Sequence, residues 1–247
     1  MKTRVILVGI GGATCSGKTT LAKHLKRILP NSVIVHQDDF APPQELVPVH
    51  PIYGVQDWDR AEGAIEWPRM VNGLERVKQT GVIPLEHVSH DHLNEQKDIS
   101  IEDSIFQKWK AHFERVEREH QERGEDIKWV MVDGFLLYWD SQVVEKLEHR
   151  VFLRIPHDIL KQRRHDRHGY HTAEGSLWRD PPDYWEQIVW PAYVAAHEPM
   201  FEDGDIEHGK PNGKVPELVL FDGLELSMGS MVDRVCSVLA TGLRGES

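Results

Sequence analysis

An α/β fold on a central parallel sheet is what this sequence predicts, and three observations carry the prediction. Short apolar runs rich in β-branched residues alternate with stretches in which apolar residues return every three or four positions, the pattern of strands exchanging with helices. The first run, Val5-Ile6-Leu7-Val8, leads into Gly12-Ala13-Thr14-Cys15-Ser16-Gly17-Lys18-Thr19-Thr20, which fits Gly-x-x-x-x-Gly-Lys-[Ser/Thr] between a strand and a helix. Two later runs end on acid, at Asp38-Asp39 and at Asp133, and in a parallel sheet ligands gather at the carboxyl ends of the strands.

The first unit is a strand over residues 4–10, the glycine loop, and a helix to residue 29 with Leu21, Ala22, Leu25 and Ile28 on one face, closed by Pro30-Asn31. A second strand, Ser32-Val33-Ile34-Val35-His36, runs into Gln37-Asp38-Asp39-Phe40. Two strands joined by a helix of this length form a right-handed βαβ unit, so the sheet is parallel. Residues 41–60, with Pro42, Pro43, Pro48 and Pro51, read as a loop ending in Gln56-Asp57-Trp58-Asp59. The spacing of Ile65, Met70, Leu74 and Val77 predicts one helix over residues 61–80, kinked near Pro68. Val82-Ile83-Pro84-Leu85 reads as a short edge strand, followed by a polar stretch with His87, His90 and His92.

Ile101, Ile105, Trp109, Phe113 and Val116 line one side of an amphipathic helix over residues 101–123, stopped at Gly124, an inserted element that packs one face on the core. Strands follow at Trp129-Val130-Met131-Val132, at Val151-Phe152-Leu153-Arg154-Ile155, and at Leu218-Val219-Leu220-Phe221 before Asp222-Gly223. That makes about five core strands. Residues 157–168 form a helix crowded with Lys161, Arg163, Arg164 and Arg167; residues 169–182 read as a loop, and 184–200 as a helix in spite of Pro191. Residues 202–214 read as an exposed loop and 231–243 as a closing helix. With no repeat and no low-complexity linker, residues 1–247 read as one domain with a lid at about 163–183 and a helical insertion at about 95–126.

Charge narrows the partners. The chain carries 29 Lys and Arg against 40 Asp and Glu, a net −11, which speaks against nucleic acid or an anionic membrane as the main partner and leaves a small cationic substrate open. The two cysteines are Cys15, inside the glycine loop where a disulfide would obstruct it, and Cys236; a reducing compartment, by default the cytosol, is expected. No apolar stretch reaches membrane-spanning length. The sequence names no protein partner.

The glycine loop has the residue types that phosphate binding requires. Gly12 and Gly17 let the backbone curl its N–H groups inward, the helix N-terminus adds partial positive charge, Lys18 reaches the β/γ phosphates, and the Thr19 hydroxyl can hold Mg²⁺. Asp133, closing a buried strand before Gly134, suits a second metal carboxylate, held directly or through water; an ordinary Asp-Gly turn is the plain alternative. Asp38 is the candidate general base for an alcohol attacking a γ-phosphate, and Asp39 points the other way if strand geometry persists. Capping aspartates are the bland alternative. Arg163, Arg164 and Arg167, followed by Gly169 and Gly175, suit a lid closing over ATP, or a solvated basic face. Trp58-Asp59 can offer a stacking face and a carboxylate to a flat cationic heterocycle bearing a ribose, though a tryptophan is commonly core. His87, His90 and His92 lack a completing pair for a metal site, and Gly9-Ile10-Gly11-Gly12-Ala13-Thr14 lacks the third small residue of a dinucleotide fingerprint.

With these residues in place the sequence resembles the nicotinamide riboside kinase family, within the uridine kinase-like group of P-loop kinases. The resemblance is carried by Gly12-x-x-x-Ser16-Gly17-Lys18-Thr19-Thr20-Leu21-Ala22-Lys23, Gln37-Asp38-Asp39-Phe40, Gly134-Phe135-Leu136-Leu137, Ile155-Pro156 leading to Lys161-x-Arg163-Arg164, and Val189-Trp190-Pro191. It implies Asp38 as base near the ribose 5′-hydroxyl and close to Mg²⁺, with Lys18 as the other catalytic side chain and Thr19, Asp38 and Asp133 around the metal. ATP would meet the loop from Gly12 to Thr20 together with Arg163, Arg167, Asp222 and Gly223. The nucleoside would meet Asp38, Asp39, Phe40, Trp58, Asp59 and Arg164. Two departures stand out: the acid at 133 is Asp where the family carries Glu, and in Arg167-His168-Gly169-Tyr170 the lid aromatic falls one place out of register.

The expected activity is therefore ATP- and Mg²⁺-dependent phosphorylation of the 5′-hydroxyl of nicotinamide riboside, with nicotinic acid riboside as a second substrate, feeding NAD synthesis. A uridine or other small-alcohol kinase of the same fold is the nearest alternative. A nucleotide-dependent switch is the more distant one, and no Asn-Lys-x-Asp guanine-reading motif supports it.

Overall fold

A computed structural model describes residues 2–84, 87–94, 97–167 and 169–243. Its elements in chain order are β1 (Lys2–Gly12), α1 (Lys18–Ile28), β2 (Ser32–His36), α2 (Ala61–Ala64), α3 (Trp67–Thr80), α4 (Asp103–Glu122), β3 (Glu125–Gly134), α5 (Ser141–Lys146), β4 (His149–Arg154), α6 (His157–Asp166), β5 (Tyr170–His171), β6 (Leu177–Trp178), α7 (Trp190–His197), β7 (Leu218–Asp222) and α8 (Met228–Gly242). The central sheet has five strands in the order β2-β3-β1-β4-β7, and every neighbouring pair is parallel. The expected α/β fold with a five-stranded parallel sheet is what forms.

The sheet is buried on both faces, which is why β1 and β3 read as continuous apolar runs rather than as alternating ones. Side-chain alternation divides them between two cores. Val5, Leu7, Val130, Val132 and Phe152 pack with α3, α5 and the segment around α7. Ile6, Val8, Ile10, Trp129, Met131, Val151 and Leu153 pack with α1, α4 and α8. Helix α4 belongs to this second layer: Trp109 and Phe113 are its buried residues, and Phe113 meets Trp129 of β3 edge-on at 5.6 Å. Among the described residues no helix is long and apolar enough to cross a membrane.

Several local expectations need correction. The helix over residues 61–80 is two helices, because Ile65 is extended and Pro68 sits in the first turn of α3, where its missing N–H costs nothing. Val82, Ile83 and Pro84 form no strand, and Leu85 lies outside the described residues, as do Glu95 at the expected start of the insertion and His168 in the expected lid. The stretch read as a loop over residues 169–182 contains an antiparallel ribbon, with Tyr170 opposite Trp178 and His171 opposite Leu177. Pro191 is accommodated in the first turn of α7, just after one π-helical stretch, Trp185–Val189. Gln37–Phe40 is a 3-10 turn rather than a continuation of β2.

Candidate active site

The loop between β1 and α1 folds as its glycines demand. Gly12 has φ 143° and lies so close to β4 that an added Cβ would stand 2.5 Å from the Leu153 carbonyl oxygen; Gly17 opens α1 with φ 100°. Cys15 also takes a positive φ, 60°. The chain curls until the amide of Ser16 donates to the Ala13 carbonyl at 3.2 Å, and Lys18 Nζ reaches back to the same carbonyl at 3.2 Å. The result is a cradle at a helix N-terminus, suited to phosphate oxygens. The Ser16 hydroxyl is buried there without a partner, and Thr20 follows in the first turn of α1.

Beside the cradle stand the acids. Thr19 Oγ1 donates to Asp133 Oδ2 at 2.6 Å, and His36 Nδ1 lies 3.2 Å from the same oxygen. Asp133 Oδ1 is buried with no partner at all. Burial pushes the Asp133 carboxyl upward, but its hydrogen bond to His36 and the charge of Lys18 outweigh it and hold the group ionised, below the usual carboxylate range. For His36 burial opposes the cation, yet Asp133, Asp91 and Asp39 raise its pKa above the ordinary value. Asp38 opens into the cleft; the enclosing protein raises its pKa, with Lys18 pulling against that and Asp133 reinforcing it.

Asp39 corrects the strand-alternation expectation. Because residues 37–40 form a 3-10 turn, Asp38 and Asp39 border the same cleft, and Asp39 Oδ2 meets His87 Nε2 at 3.1 Å. Phe40 corrects another: its ring is buried against Gly73, His87 and the Arg69 guanidinium, so it braces the turn and does not line the cleft.

Among the described residues no group of three or more His, Cys, Asp or Glu side chains encloses a metal on its own. A hard cation such as Mg²⁺ does not need one, since it is held by one or two carboxylates together with substrate phosphates and water. The unpartnered Asp133 Oδ1, the Thr19 hydroxyl beside it and the Asp38 carboxylate on the same cleft wall fit that chemistry.

A cleft of about 1050 Å³, open to solvent, joins these groups to Trp58, Asp59, Arg164, Thr172 and Trp178. The Trp58-Asp59 loop is held firmly. Asp57 Oδ1 accepts the amides of Asp59 and Arg60 at 3.2 and 2.9 Å, and the Tyr184 hydroxyl accepts the Trp58 amide while donating to the Gln56 carbonyl, both at 3.0 Å. Arg164 forks onto Asp180 with contacts of 2.6 and 3.0 Å and reaches Asp59 at 3.5 Å. Burial raises the pKa of Asp59 to about 6, against the pull of Arg164. Trp58 Nε1, Asp59 Oδ2 and Thr172 Oγ1 are all buried without partners, a donor, an acceptor and a hydroxyl left open around one space.

The ribbon β5–β6 roofs the cleft. The Tyr170 hydroxyl rests 2.9 Å from Thr14 Oγ1 and 3.1 Å from Cys15 Sγ, with the guanidinium carbons of Arg167 and Arg164 4.0 and 4.7 Å from its ring centre. Arg163 donates to the Cys15 carbonyl at 3.2 Å. The segment before α4 supports the ribbon from behind: His90 Nδ1 lies 2.8 Å from the Ala173 carbonyl, and Asn94 Oδ1 accepts the His171 amide at 3.0 Å.

Comparison with known proteins gives the pattern a context. No family model matches the chain. Curated relatives do match: a nicotinamide riboside kinase of Schizosaccharomyces pombe is 35% identical over 207 residues, covering 83% of this chain and 85% of that protein. One of Saccharomyces cerevisiae is 32% identical over 205 residues, covering 83% and 82%. The chain belongs to the nicotinamide riboside kinase family. A further member, from Eremothecium gossypii, is 31% identical over 235 residues, 95% of this chain and 92% of its own. A solved sugar kinase from Janibacter sp. HTCC2649 covers 96% of this chain and 94% of its own at 15% identity with a TM-score of 0.47, a likeness too slight to argue from.

In this member of the nicotinamide riboside kinase family, the expected site residues from the glycine loop, Asp38, Asp39, Trp58, Asp59, Asp133, Arg164 and Arg167 converge on one region. Asp222 and Gly223 do not line the cleft: they end β7 beyond β4, where Arg154 holds the Asp222 carboxylate at 2.6 and 3.2 Å and the Gly223 amide donates to the Arg154 carbonyl. Sequence reasoning missed Trp178, Thr172, Asp180, His36 and Asp91. The ribbon had a signal, since Gly175 at φ 79° lies between Tyr170-His171-Thr172 and Leu177-Trp178, a turn glycine between β-prone residues. For His36 and Asp91 no local signal exists.

Proposed function

We propose that this protein transfers the γ-phosphoryl group of ATP to the 5′-hydroxyl of nicotinamide riboside, giving nicotinamide mononucleotide for NAD synthesis, and that it accepts nicotinic acid riboside as a second substrate. The observation that carries the reading is the single cleft in which a phosphate cradle, an open carboxylate and an aromatic–carboxylate pair stand together. Family membership supports the choice of acceptor.

In this reading the triphosphate lies on the amides of residues 12–20 with Lys18 against its outer phosphates and Arg163 and Arg167 closing from α6 and the loop after it. Thr19, Asp133 and Asp38 would hold Mg²⁺, which when bound would supply positive charge against the phosphates. Asp38 orients the 5′-hydroxyl and accepts its proton as the new P–O bond forms, leaving ADP with the charge of the leaving oxygen. A raised pKa suits that task better than an ordinary carboxylate does. Trp58 stacks on the pyridinium ring, and the open Asp59 Oδ2 accepts from ribose hydroxyls. Arg164 offsets one of the two charges of Asp59 and Asp180, which leaves net negative charge for a cationic ring.

The chain works as one kinase domain with its lid at about 163–183, and the two free cysteines favour the cytosol. The test is a panel of nicotinamide riboside, nicotinic acid riboside, uridine, cytidine and pantothenate, each with ATP and Mg²⁺ and read by product mass. Turnover of uridine with none of nicotinamide riboside would reject the assignment.

A further inference from the structure

Three side chains at the cleft, His36, Asp91 and Lys23, remain without a role, and with Thr19 and Asp133 they form a closed circuit. Asp133 Oδ2 takes both of that carboxylate's hydrogen bonds, from Thr19 at 2.6 Å and His36 Nδ1 at 3.2 Å. The opposite ring nitrogen, His36 Nε2, stands 3.7 Å from Asp91 Oδ2. That same oxygen of Asp91 is held by Lys23 Nζ at 2.8 Å. Lys23 lies one helical turn beyond Thr19 on α1, so the circuit returns to the element it left. The ring of His36 is largely enclosed, with 13% of its side chain exposed, so few other orientations are open to it.

We propose that His36 and Asp91 are positioning residues for Asp133: they fix its carboxylate with Oδ2 turned toward Thr19 and His36, so that Oδ1 is presented to the divalent cation of the nucleotide. The inference rests on the reading that a metal–ATP complex is the phosphoryl donor. Its physical basis is that an aspartate carboxylate can rotate freely enough to offer either oxygen, or both in an unproductive geometry, unless a second set of contacts chooses for it. Here two donors crowd onto one oxygen and leave the other buried and bare. An aspartate has little reach, so a small rotation takes its free oxygen out of range. Asp91 in turn prevents the imidazole from swinging away, and Lys23 anchors Asp91. Asp91 comes from a 3-10 turn, Asp91–Leu93, outside the sheet, flanked by the residues that support the lid ribbon, His90 and Asn94. Such outer contacts typically matter by 10- to 100-fold in metal affinity.

The test measures Mn²⁺ binding by electron paramagnetic resonance in the presence of a non-hydrolysable ATP analogue, for the wild type, Asp91→Asn and His36→Gln. Both variants are expected to bind Mn²⁺ about tenfold more weakly or worse, with metal-free nucleotide affinity and nucleoside KM unchanged. Activity should return at high Mg²⁺ in Asp91→Asn. A Mn²⁺ dissociation constant for Asp91→Asn within about twofold of wild type overturns the proposal. Should Asp91→Asn fail to fold, Lys23→Met loosens the same anchor from its far end; weaker Mn²⁺ binding supports the clamp and unchanged binding rejects it. A wild type that binds no Mn²⁺ with the nucleotide rejects the underlying reading instead, and the clamp falls with it.

Discussion

The Tyr170 hydroxyl lies 2.9 Å from Thr14 Oγ1, so the β5–β6 ribbon rests its first residue directly on the phosphate loop. Both of its polar contacts, to Thr14 and to Cys15, are to side chains, so Tyr170 itself occupies none of the loop amides. Each hydrogen bond of this kind contributes about 0.5–1.5 kcal/mol. Tyr170→Phe keeps the ring under Arg167 and Arg164 but removes both contacts. Amide exchange across residues 169–178 should then speed up by about tenfold, and KM should rise a few-fold for both substrates. Hydrogen-exchange mass spectrometry and steady-state kinetics measure these. Unaltered exchange would mean the hydroxyl does not hold the ribbon.

Asp38→Asn keeps the size and polarity of the side chain while removing its basicity. If Asp38 takes the proton of the attacking hydroxyl, kcat should drop by about 10²–10⁴, with the affinity for metal-free ATP nearly unchanged, since Lys18 and the loop amides are untouched. Retained turnover would move the base elsewhere.

What could be read from the sequence follows from how local each signal is. β1, the glycine loop and α1 lie within one short stretch, and spacing alone places Lys18 and Thr19 at a helix N-terminus. The Gln37–Phe40 turn defeated strand reasoning because alternation assumes an extended backbone; a tighter turn brings Asp38 and Asp39 to one side and buries Phe40. Phe40 belongs to a conspicuous motif, yet its ring serves packing against α3. Asp91 and His36 are 55 positions apart and meet only once the segment before α4 folds over the sheet edge, a contact that no periodicity encodes. Asp180 is similar: it precedes two prolines and looks like a loop residue until Arg164 turns out to face it.

Arg164 is buried between Asp59, Asp180 and the rings of Tyr170 and Tyr184. Removing one partner of a buried ionic group costs about 3–5 kcal/mol, and because a quarter of the Asp180 side chain is exposed the lower end applies. Arg164→Met should lower the thermal midpoint by roughly 5 °C or more. Arg164→Lys keeps the charge but loses the two-pronged grip on Asp180, so it should fall between Met and wild type. Calorimetry decides, and a Met variant as stable as wild type would contradict the pairing.

Asp59 gives the pH dependence. Its carboxyl is raised from 3.8 to about 6 by burial, with Arg164 opposing. The folded protein therefore holds this proton more tightly than the unfolded chain, so the contribution of Asp59 to stability falls as pH rises through that interval. Binding runs the other way. If Asp59 accepts from ribose hydroxyls, it does so fully only when ionised, so nucleoside KM should decrease as pH rises through about 6 and level off above it. Asp59→Asn should raise KM and abolish the step. A KM profile of equal slope in the variant would assign the titration to another group.

Helix α4 offers a test that separates support from chemistry. Phe113 is 1% exposed and lies stacked at 5.9 Å on Trp109 and edge-on at 5.6 Å to Trp129. Trp129 belongs to β3, the strand that ends at Asp133. Truncating a buried phenylalanine typically costs about 3–5 kcal/mol, the lost transfer energy plus the cavity. Phe113→Ala should therefore lower the denaturation midpoint substantially, whereas Arg115→Ala on the exposed side of α4 should change stability by no more than about 0.5 kcal/mol. Because Phe113 touches the middle of β3, at Trp129, and not its carboxyl end at Asp133, kcat per folded molecule at low temperature should stay near wild type. Chemical denaturation read by tryptophan fluorescence gives the first quantity and an active-site titration the second. A fall in kcat with unchanged stability would show that α4 acts on the site itself and not through the core.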